Sequence, residues 1–447
     1  MQIKIPENAN KIIHTLMEHG HEAYVVGGCV RDSILNKVPM DWDITTSASP
    51  MEVKNLFGRT IDTGIQHGTV TVMMGKEAYE VTTYRVDGEY EDHRRPKEVL
   101  FTKSLKEDLK RRDFTINAMA YNEVEGLQDL FDGIGDLERG VIRCVGVPEE
   151  RFDEDALRIL RAVRFSAQLD FTIDEGTKQA IKTRYQHLKD ISAERIQVEL
   201  TKLLTSDHPE KLLEAKELGI TSVVLPEFDA MVETEQNNPH HCYNVGVHTI
   251  HAVRAIEKDP ILRWTMLLHD VAKPLKRETD EKGIDHFHGH DTEGADMAKK
   301  ILRRMKLDNH TIHTVSHLVL WHDYHFQAPV TLKKVRRTMS KVGTELFPVL
   351  LKVQRADAAA QSDFRRKEKF RVIEEAEERY YEVLAKKQCV SMKELAINGR
   401  DLIENGVEPG VMMGAILNSL LEQVIEDPTL NEKDILLSLV AKQQKIK

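Results

Sequence analysis

Cysteine is scarce in this chain. There are four in 447 residues, Cys29, Cys144, Cys242 and Cys389, scattered without a Cys-x-x-Cys pair. That excludes a disulfide framework and a zinc ribbon, and leaves reduced thiols as the expectation. Long apolar runs are missing too. No stretch approaches membrane-spanning length, and the start, Met-Gln-Ile-Lys-Ile-Pro-Glu, lacks the apolar region of a signal peptide. A cytoplasmic address and no membrane partner are expected. Nor is the chain basic overall: a net charge of −10 argues against indiscriminate nucleic-acid binding but says nothing of local patches. What remains is an ordinary composition, 41% hydrophobic and 30% charged, in a length that suits two to four domains.

Local basic clusters do exist: Arg94-Arg95, Lys110-Arg111-Arg112, the series Arg158, Arg161 and Arg164, then Lys333-Lys334, Arg336-Arg337 and Arg365-Arg366-Lys367. Most charge runs are solvated faces, so each needs a second signal before it is read as a phosphate contact.

The densest second signal runs from Tyr24 to Thr46. It reads as strand, tight glycine turn, short helix, and a second strand carrying Asp41 and Asp43. Strand alternation predicts both carboxylates on one face and Trp42 on the other. Paired hard oxygen ligands suit Mg²⁺, which keeps part of its water shell and is shared with substrate phosphates. Two such ions can activate an attacking oxygen and neutralise the leaving one. Gly27 and Gly28 let the backbone approach a triphosphate, the following helix aims free N–H groups at the anion, and Arg31 adds a cation. Either motif alone is most simply a turn or a solvated strand end; their combination within one short stretch points to nucleotide chemistry.

The string Gly-Gly-x-Val-Arg-Asp followed by Asp-x-Asp resembles the nucleotidyltransferase head of the polymerase β superfamily, specifically class II tRNA nucleotidyltransferases and bacterial poly(A) polymerases. The resemblance implies an α+β chain. A small mixed or antiparallel head sheet over 1–140 is followed by a helical neck over 141–235, a histidine-rich domain over 236–363 and a helical tail over 364–447. Such heads draw a third carboxylate from a neighbouring strand, for which Glu80 is the candidate. The polar segment from Asp87 to Lys97 holds too few apolar residues to pack and is expected as a mobile loop, similar to the flexible loop of CCA- and A-adding enzymes.

Arg111-Arg112-Asp113 resembles the family motif that holds ribose and triphosphate. Guanidinium forks suit phosphate oxygens, and a carboxylate can accept from ribose hydroxyls; a helix-end salt bridge is the plain alternative. The neck is expected to carry one helix over 152–165, with Leu157, Leu160, Val163 and Ala167 as its core stripe and Asp155 and Arg158 on one face. That pair matches the family's Glu-Asp-x-x-Arg motif, which selects the incoming base. Cytosine and adenine both present an exocyclic amine beside a bare ring nitrogen, whereas uracil and guanine present a carbonyl beside an N–H. A carboxylate with an arginine therefore accepts C and A and leaves groups unpaired against U and G. The bland alternative is an exposed Asp–Arg pair. Arg161 and Arg164 are placed by the same resemblance among the nucleotide-binding residues.

Histidine is concentrated in the middle. Thirteen of 20 lie between His240 and His325, where uniform scatter would place about four. The order His248, His269-Asp270, His290, His322, Asp357 resembles the HD phosphohydrolase domain, whose helices converge these side chains on divalent metal. His286 and His288 compete with His290, and His317 with His322. Imidazole with a bridging carboxylate suits a divalent transition metal. Such domains on nucleotidyltransferases can be phosphatases, 2′,3′-cyclic phosphodiesterases or scaffolds. In the tail, Gly406 and Pro409-Gly410 lead into a helix from Val411 that resembles a tRNA-supporting segment, or serves as packing.

The resemblance as a whole implies addition of C, C and A to a tRNA 3′ end from CTP and ATP, with Mg²⁺ at the head, no nucleic-acid template, and pyrophosphate released. DNA is not an expected partner. The rival readings are a bacterial poly(A) polymerase, an A-adding enzyme, and, from another class, a metal phosphohydrolase with an RNA-binding head.

Overall fold

The computed structural model describes residues 2–444 apart from 88–89, 92–94 and 97–98, with side chains left out over 87–98 and 443–444. The loop expected from Asp87 to Lys97 therefore lies largely outside the described residues. Its flanks, Arg85–Asp87 and Val99–Phe101, pair as an antiparallel ribbon. The chain divides into two compact units, Met1–Asp229 and Ala230–Lys447.

The first unit is built on seven strands: β1 Ala23–Val26, β2 Ile44–Thr46, β3 Thr60–Gly64, β4 Thr69–Met74, β5 Glu77–Thr83, β6 Met119–Asn122 and β7 Gly126–Asp129. Their order across the sheet is β7-β6-β1-β2-β5-β4-β3. All pairs are antiparallel except β2 with β5, where Ile44 faces Val81. β1 is buried along its length because it is central: Tyr24 and Val26 join Tyr84, Leu109, Ala118 and Ala120 in one core cluster. Helix α1, Glu7–Glu18, packs on β1 and buries Ala9, Ile12, Ile13 and Leu16, the three-and-four spacing of an amphipathic helix. Helices follow the sheet, with one short parallel pairing, Val141–Ile142 with Thr172–Ile173.

Among the described residues, the second unit's regular structure is helical apart from the two-rung ribbon Glu278–Thr279 with Asp285–His286. Three of its helices start at side-chain caps that frame the histidine-rich region: Asn244 accepts from Val247 N–H, Asp259 from Leu262 N–H and Asp308 from Thr311 N–H. The tail closes its own core, in which Ile397, Leu402, Leu420, Val424 and Leu436 are buried.

Three sequence expectations need correction. Asp41 and Asp43 precede β2 and lie in irregular backbone, so the period of two does not govern them. Trp42 lines the same cleft as both carboxylates. The single neck helix is two, Pro148–Glu154 and Leu157–Leu169, and Asp155 sits in the break with φ −141° and ψ 101°. Asp155 and Arg158 therefore do not share a helix face.

Candidate active site and metal centre

The glycine turn makes room for an arginine. Gly27 has φ +82°, and a Cβ there would stand 3.0 Å from Arg112 Nη1. Gly27 N–H donates to Met119 O at 3.1 Å, which ties the turn to β6. Arg112 Nε is buried without a hydrogen-bond partner among the described residues, and burial lowers the guanidinium's pKa against the raising influence of Asp108. An orphaned cationic donor beside a bare backbone turn is the chemistry of an anion cradle. Arg31, expected as a further phosphate cation, is instead a buried bridge. It donates to Asn117 Oδ1 at 2.6 Å and pairs with Asp32 at 2.8 Å, its guanidinium 5.0 Å from the Phe165 ring centre.

Asp41, Asp43 and Glu80 line one cleft of about 740 Å³. The parallel pairing of Ile44 with Val81 brings the residues just before them, Asp43 and Glu80, side by side. The Asp43 carboxyl is held above its ordinary value, first by burial and then by Glu80 and Asp41, with Arg112 opposing. Three hard carboxylates at an open cleft fit a divalent ion shared with substrate oxygens.

A second cleft, about 240 Å³, is lined by Arg111, Arg112, Asp113, Asp155, Leu157, Arg158, Arg161 and Arg195. Apart from Arg112, whose Nε has no partner among the described residues, its polar groups are fixed by partners. Arg111 chelates the buried Asp108 carboxylate through Nε at 3.0 Å and Nη2 at 2.7 Å. Arg161 does the same to Asp113, at 2.8 and 2.6 Å. Burial would raise the Asp113 pKa, but Arg161, Arg158 and Asn117 hold it well below the usual carboxylate range. Arg158 donates to Glu154 at 2.6 Å, Arg111 O at 2.8 Å and Arg151 O at 3.1 Å. Asp155 accepts from Leu157 N–H at 3.1 Å and is gripped by both terminal nitrogens of Arg195, at 3.3 and 2.8 Å. Arg195, from the helix Ala193–Leu204, was not anticipated; Ser-Ala-Glu-Arg at a helix start was visible, but its partner was not. Arg164 turns away, bonding Glu199 at 2.7 Å and stacking 3.7 Å over Phe165.

In the second unit, two groups of buried side chains each have ligand atoms within 4.8 Å of one another: His248, His269 and Asp357, and Asp270, His290 and His322. His269 and His322 stand just past helix ends, where each Nδ1 lies against a last-turn carbonyl, Met266 O at 2.7 Å and Val319 O at 2.6 Å. His290 Nδ1 lies 2.7 Å from Phe287 O and His248 Nδ1 3.4 Å from Ala360 O. An Nδ1 that donates to a carbonyl leaves Nε2 as a bare lone pair in the neutral ring. Yet Nε2 of His248 and His269 lie 3.3 Å apart, and those of His290 and His322 3.2 Å. Facing lone pairs repel, so each pair of rings needs a proton or a metal ion between them; against burial, Asp270 and Asp357 push the His269 pKa up to about 10. Asp270 spans both groups, Oδ2 at 3.3 Å from His269 and Oδ1 at 3.5 Å from His290 and from His322. Asp357 Oδ1 lies 2.9 Å from His248 Nε2. The rival histidines lie elsewhere: His286 stacks on His288, and His317 Nε2 contacts Val342 O.

Family comparison matches the poly(A) polymerase head domain to residues 23–143, an RNA- and SrmB-binding region of polymerase A to 170–232, and tRNA nucleotidyltransferase domain 2 to 290–440. The CCA-adding enzyme of Lactiplantibacillus plantarum is 37% identical over 96% of this chain and 94% of its own length. That of Levilactobacillus brevis is 38% identical over 97% of both. Among solved structures, the Bacillus stearothermophilus CCA-adding enzyme in complex with CTP superposes with a TM-score of 0.72 at 28% identity, covering 99% of each chain. The Thermotoga maritima enzyme complexed with tRNA shares the fold, with a TM-score of 0.58 at 21% identity.

Proposed function

Because the chain belongs to the family of CCA-adding enzymes, we propose that its two clefts add C, C and A from CTP and ATP to a tRNA 3′ end without a nucleic-acid template. The observation that carries this is the convergence of Arg111, Arg112, Asp113, Asp155, Arg158 and Arg161 on one small cleft, with Arg112 also acting on the Asp43 carboxylate. Asp41 and Asp43, with Glu80 as the third carboxylate, would hold Mg²⁺, which when bound activates the attacking 3′-hydroxyl and neutralises the leaving pyrophosphate. Arg112 and the Gly27 turn steady the triphosphate. Asp155, aimed by Arg195, accepts from the amine of C or A, and Arg158 donates to the ring nitrogen. The rigid ion pairs around these two groups supply the fixed geometry that a protein template needs.

The domain division into head 1–140, neck 141–235, histidine-rich 236–363 and tRNA-supporting tail 364–447 is the working organisation for this activity. The test supplies tRNA lacking its last three, its last one or no nucleotides with each nucleoside triphosphate separately, and sequences the products. Addition of C and C, then A, then no more is the expected result. Unlimited A addition would instead make the protein a poly(A) polymerase.

A second reading rests on the facing imidazoles. The six side chains of the second unit would hold two divalent transition-metal ions, with Asp270 bridging, and hydrolyse a phosphate ester.

A further inference from the structure

A nucleoside triphosphate has a limited reach from base to phosphates, so a site that reads one end and holds the other must keep its two halves at one spacing. Here the halves come from distant segments. In the nucleotidyltransferase reading above, the Gly27 turn and the helix Gly28–Ile34 that follows it stand on the triphosphate side, while Asp155 and Arg158 read the base from the neck.

Phe165, on the helix Leu157–Leu169, is 4% exposed and stands where these segments meet. Three guanidinium carbons gather over its ring, Arg164 at 3.7 Å from the centre, Arg31 at 5.0 Å and Arg161 at 5.3 Å. Phe114, which directly follows the Arg111-Arg112-Asp113 triplet, meets the same ring edge to face at 5.8 Å between centres. Like charges this close repel, and each arginine has its own carboxylate, Asp32, Asp113 and Glu199. What the three share is the ring. Its face is negative and attracts all of them, whereas an aliphatic side chain of similar volume would fill the space without attracting any.

Hydrogen bonds close a circuit through the same point. Arg31 donates to Asn117 Oδ1 at 2.6 Å, Asn117 Nδ2 donates to Asp113 Oδ1 at 3.2 Å, and Asp113 Oδ2 accepts from Arg161 at 2.8 and 2.6 Å. Arg161 lies one helical turn before Phe165, and the ring leads back to Arg31. Asp113 and Arg161 line the base-side cleft; Phe165 does not.

We propose that Phe165 is a positioning residue, whose cation–π contacts hold the triphosphate turn and the base-reading helix at the spacing one nucleotide spans. It touches no substrate. Its effect passes through Arg31 to the helix after the Gly27 turn, and through Arg161 to Asp113. Because a misplacement of about 1 Å at a reacting centre can cost roughly a hundredfold in rate, a ring that fixes this spacing acts on base choice as well as on rate. The proposal rests on the nucleotidyltransferase reading and adds the device that keeps its two halves in register.

The test uses the full chain with tRNA lacking its CCA end. Phe165 is replaced in turn by 4-fluoro-, 3,5-difluoro- and 3,4,5-trifluorophenylalanine, which keep the ring's shape while draining charge from its face. The ratio of kcat/KM for CTP over UTP should fall stepwise, by roughly tenfold at the trifluoro ring, and the KM for CTP should rise along the same series. The KM for tRNA should stay within about twofold. Phe165→Leu should fall at or beyond the end of the series. A purely structural role predicts something else: a smaller folded fraction lowers every rate by one factor and moves neither the ratio nor any KM. A fluorinated series that matches wild type in ratio and KM overturns the proposal and leaves CCA addition standing, whatever Phe165→Leu does to folding. A wild-type chain that extends no tRNA overturns the functional reading itself, and this proposal with it.

Discussion

Arg195 grips Asp155 with both terminal guanidinium nitrogens, across 40 residues of sequence. Asp155 sits at the break between two neck helices, where the local backbone reaches its side chain through a single donor, Leu157 N–H at 3.1 Å. A bidentate fork holds a carboxylate in one plane, which a single hydrogen bond cannot do.

Arg195→Ala is accordingly expected to damage base choice more than overall rate. The ratio of kcat/KM for CTP over UTP should fall by roughly tenfold, since a loosened acceptor no longer penalises a carbonyl. Arg195→Lys, with one donor head in place of a fork, should recover only part of the ratio. If all four nucleotides slow equally and the ratio holds, Arg195 is a packing residue.

Asp155→Ala removes the acceptor itself. Unpaired groups against U or G cost on the order of 1–3 kcal/mol each, so one contact accounts for roughly ten- to hundredfold of selectivity. Because Arg195 acts through Asp155, the double variant should be no less selective than Asp155→Ala alone. Additive losses in the kinetic cycle would show that Arg195 touches the base independently.

Asp43 gives a prediction with opposite signs for stability and activity. Its folded-state pKa is raised, first by burial in the cleft and then by Glu80 and Asp41. The folded protein therefore holds this proton more tightly than the unfolded chain does. Ionisation of Asp43 costs stability above the unfolded value, and that cost disappears as pH falls through the raised folded value. Asp43→Asn should melt at a higher temperature than wild type at neutral pH while losing nucleotide addition and keeping tRNA binding. Asp41→Ala should likewise abolish addition. Glu80→Gln, by removing a negative neighbour, should move the acid limb of the kcat/KM profile to lower pH. A lower melting temperature for Asp43→Asn would contradict this account of the cleft.

Gly27→Ala tests the anion cradle. Gly27 holds φ +82°, and the added methyl would stand 3.0 Å from Arg112 Nη1. The left-handed backbone costs a non-glycine residue about 1–2 kcal/mol, and the arginine must move besides. The expected outcome is a higher KM for both CTP and ATP, with their ratio to UTP unchanged. Equal KM values would separate the turn from triphosphate binding.

In the second unit, elemental analysis of the purified chain should find up to two divalent ions per molecule after loading. Asp270→Ala is expected to lose both, because its two oxygens face the two histidine groups. His290→Ala should lose one. CCA addition by Asp270→Ala is expected to stay close to wild type, while any metal-dependent phosphatase or cyclic phosphodiesterase activity disappears. A phosphohydrolase activity that survives the loss of metal would place that chemistry elsewhere in the chain.

Much of this was legible in the amino-acid sequence, because short-range chemistry announces itself. The glycine pair, the two aspartates of Asp-Trp-Asp, the Arg111-Arg112-Asp113 triplet and the His269-Asp270 pair are adjacent or nearly so; each alone has a plain structural reading, and it is their combination that resembles one family. The tertiary structure decided orientation and partnership. It ended one neck helix at Glu154 and began another at Leu157, which took Asp155 off the helix face that a 3.6-residue period assigned to it. It turned Trp42 into the cleft of its two flanking carboxylates, because the strand starts only at Ile44. Arg31 and Arg164, plausible phosphate ligands by charge alone, were committed to Asn117 and Glu199 by the packing of elements far apart in sequence. The histidines were divided into two groups by helix ends whose carbonyls set each ring's direction. A pattern of residue types carries the chemistry a chain can perform; which atom faces which is settled by packing between segments, and no local period encodes it.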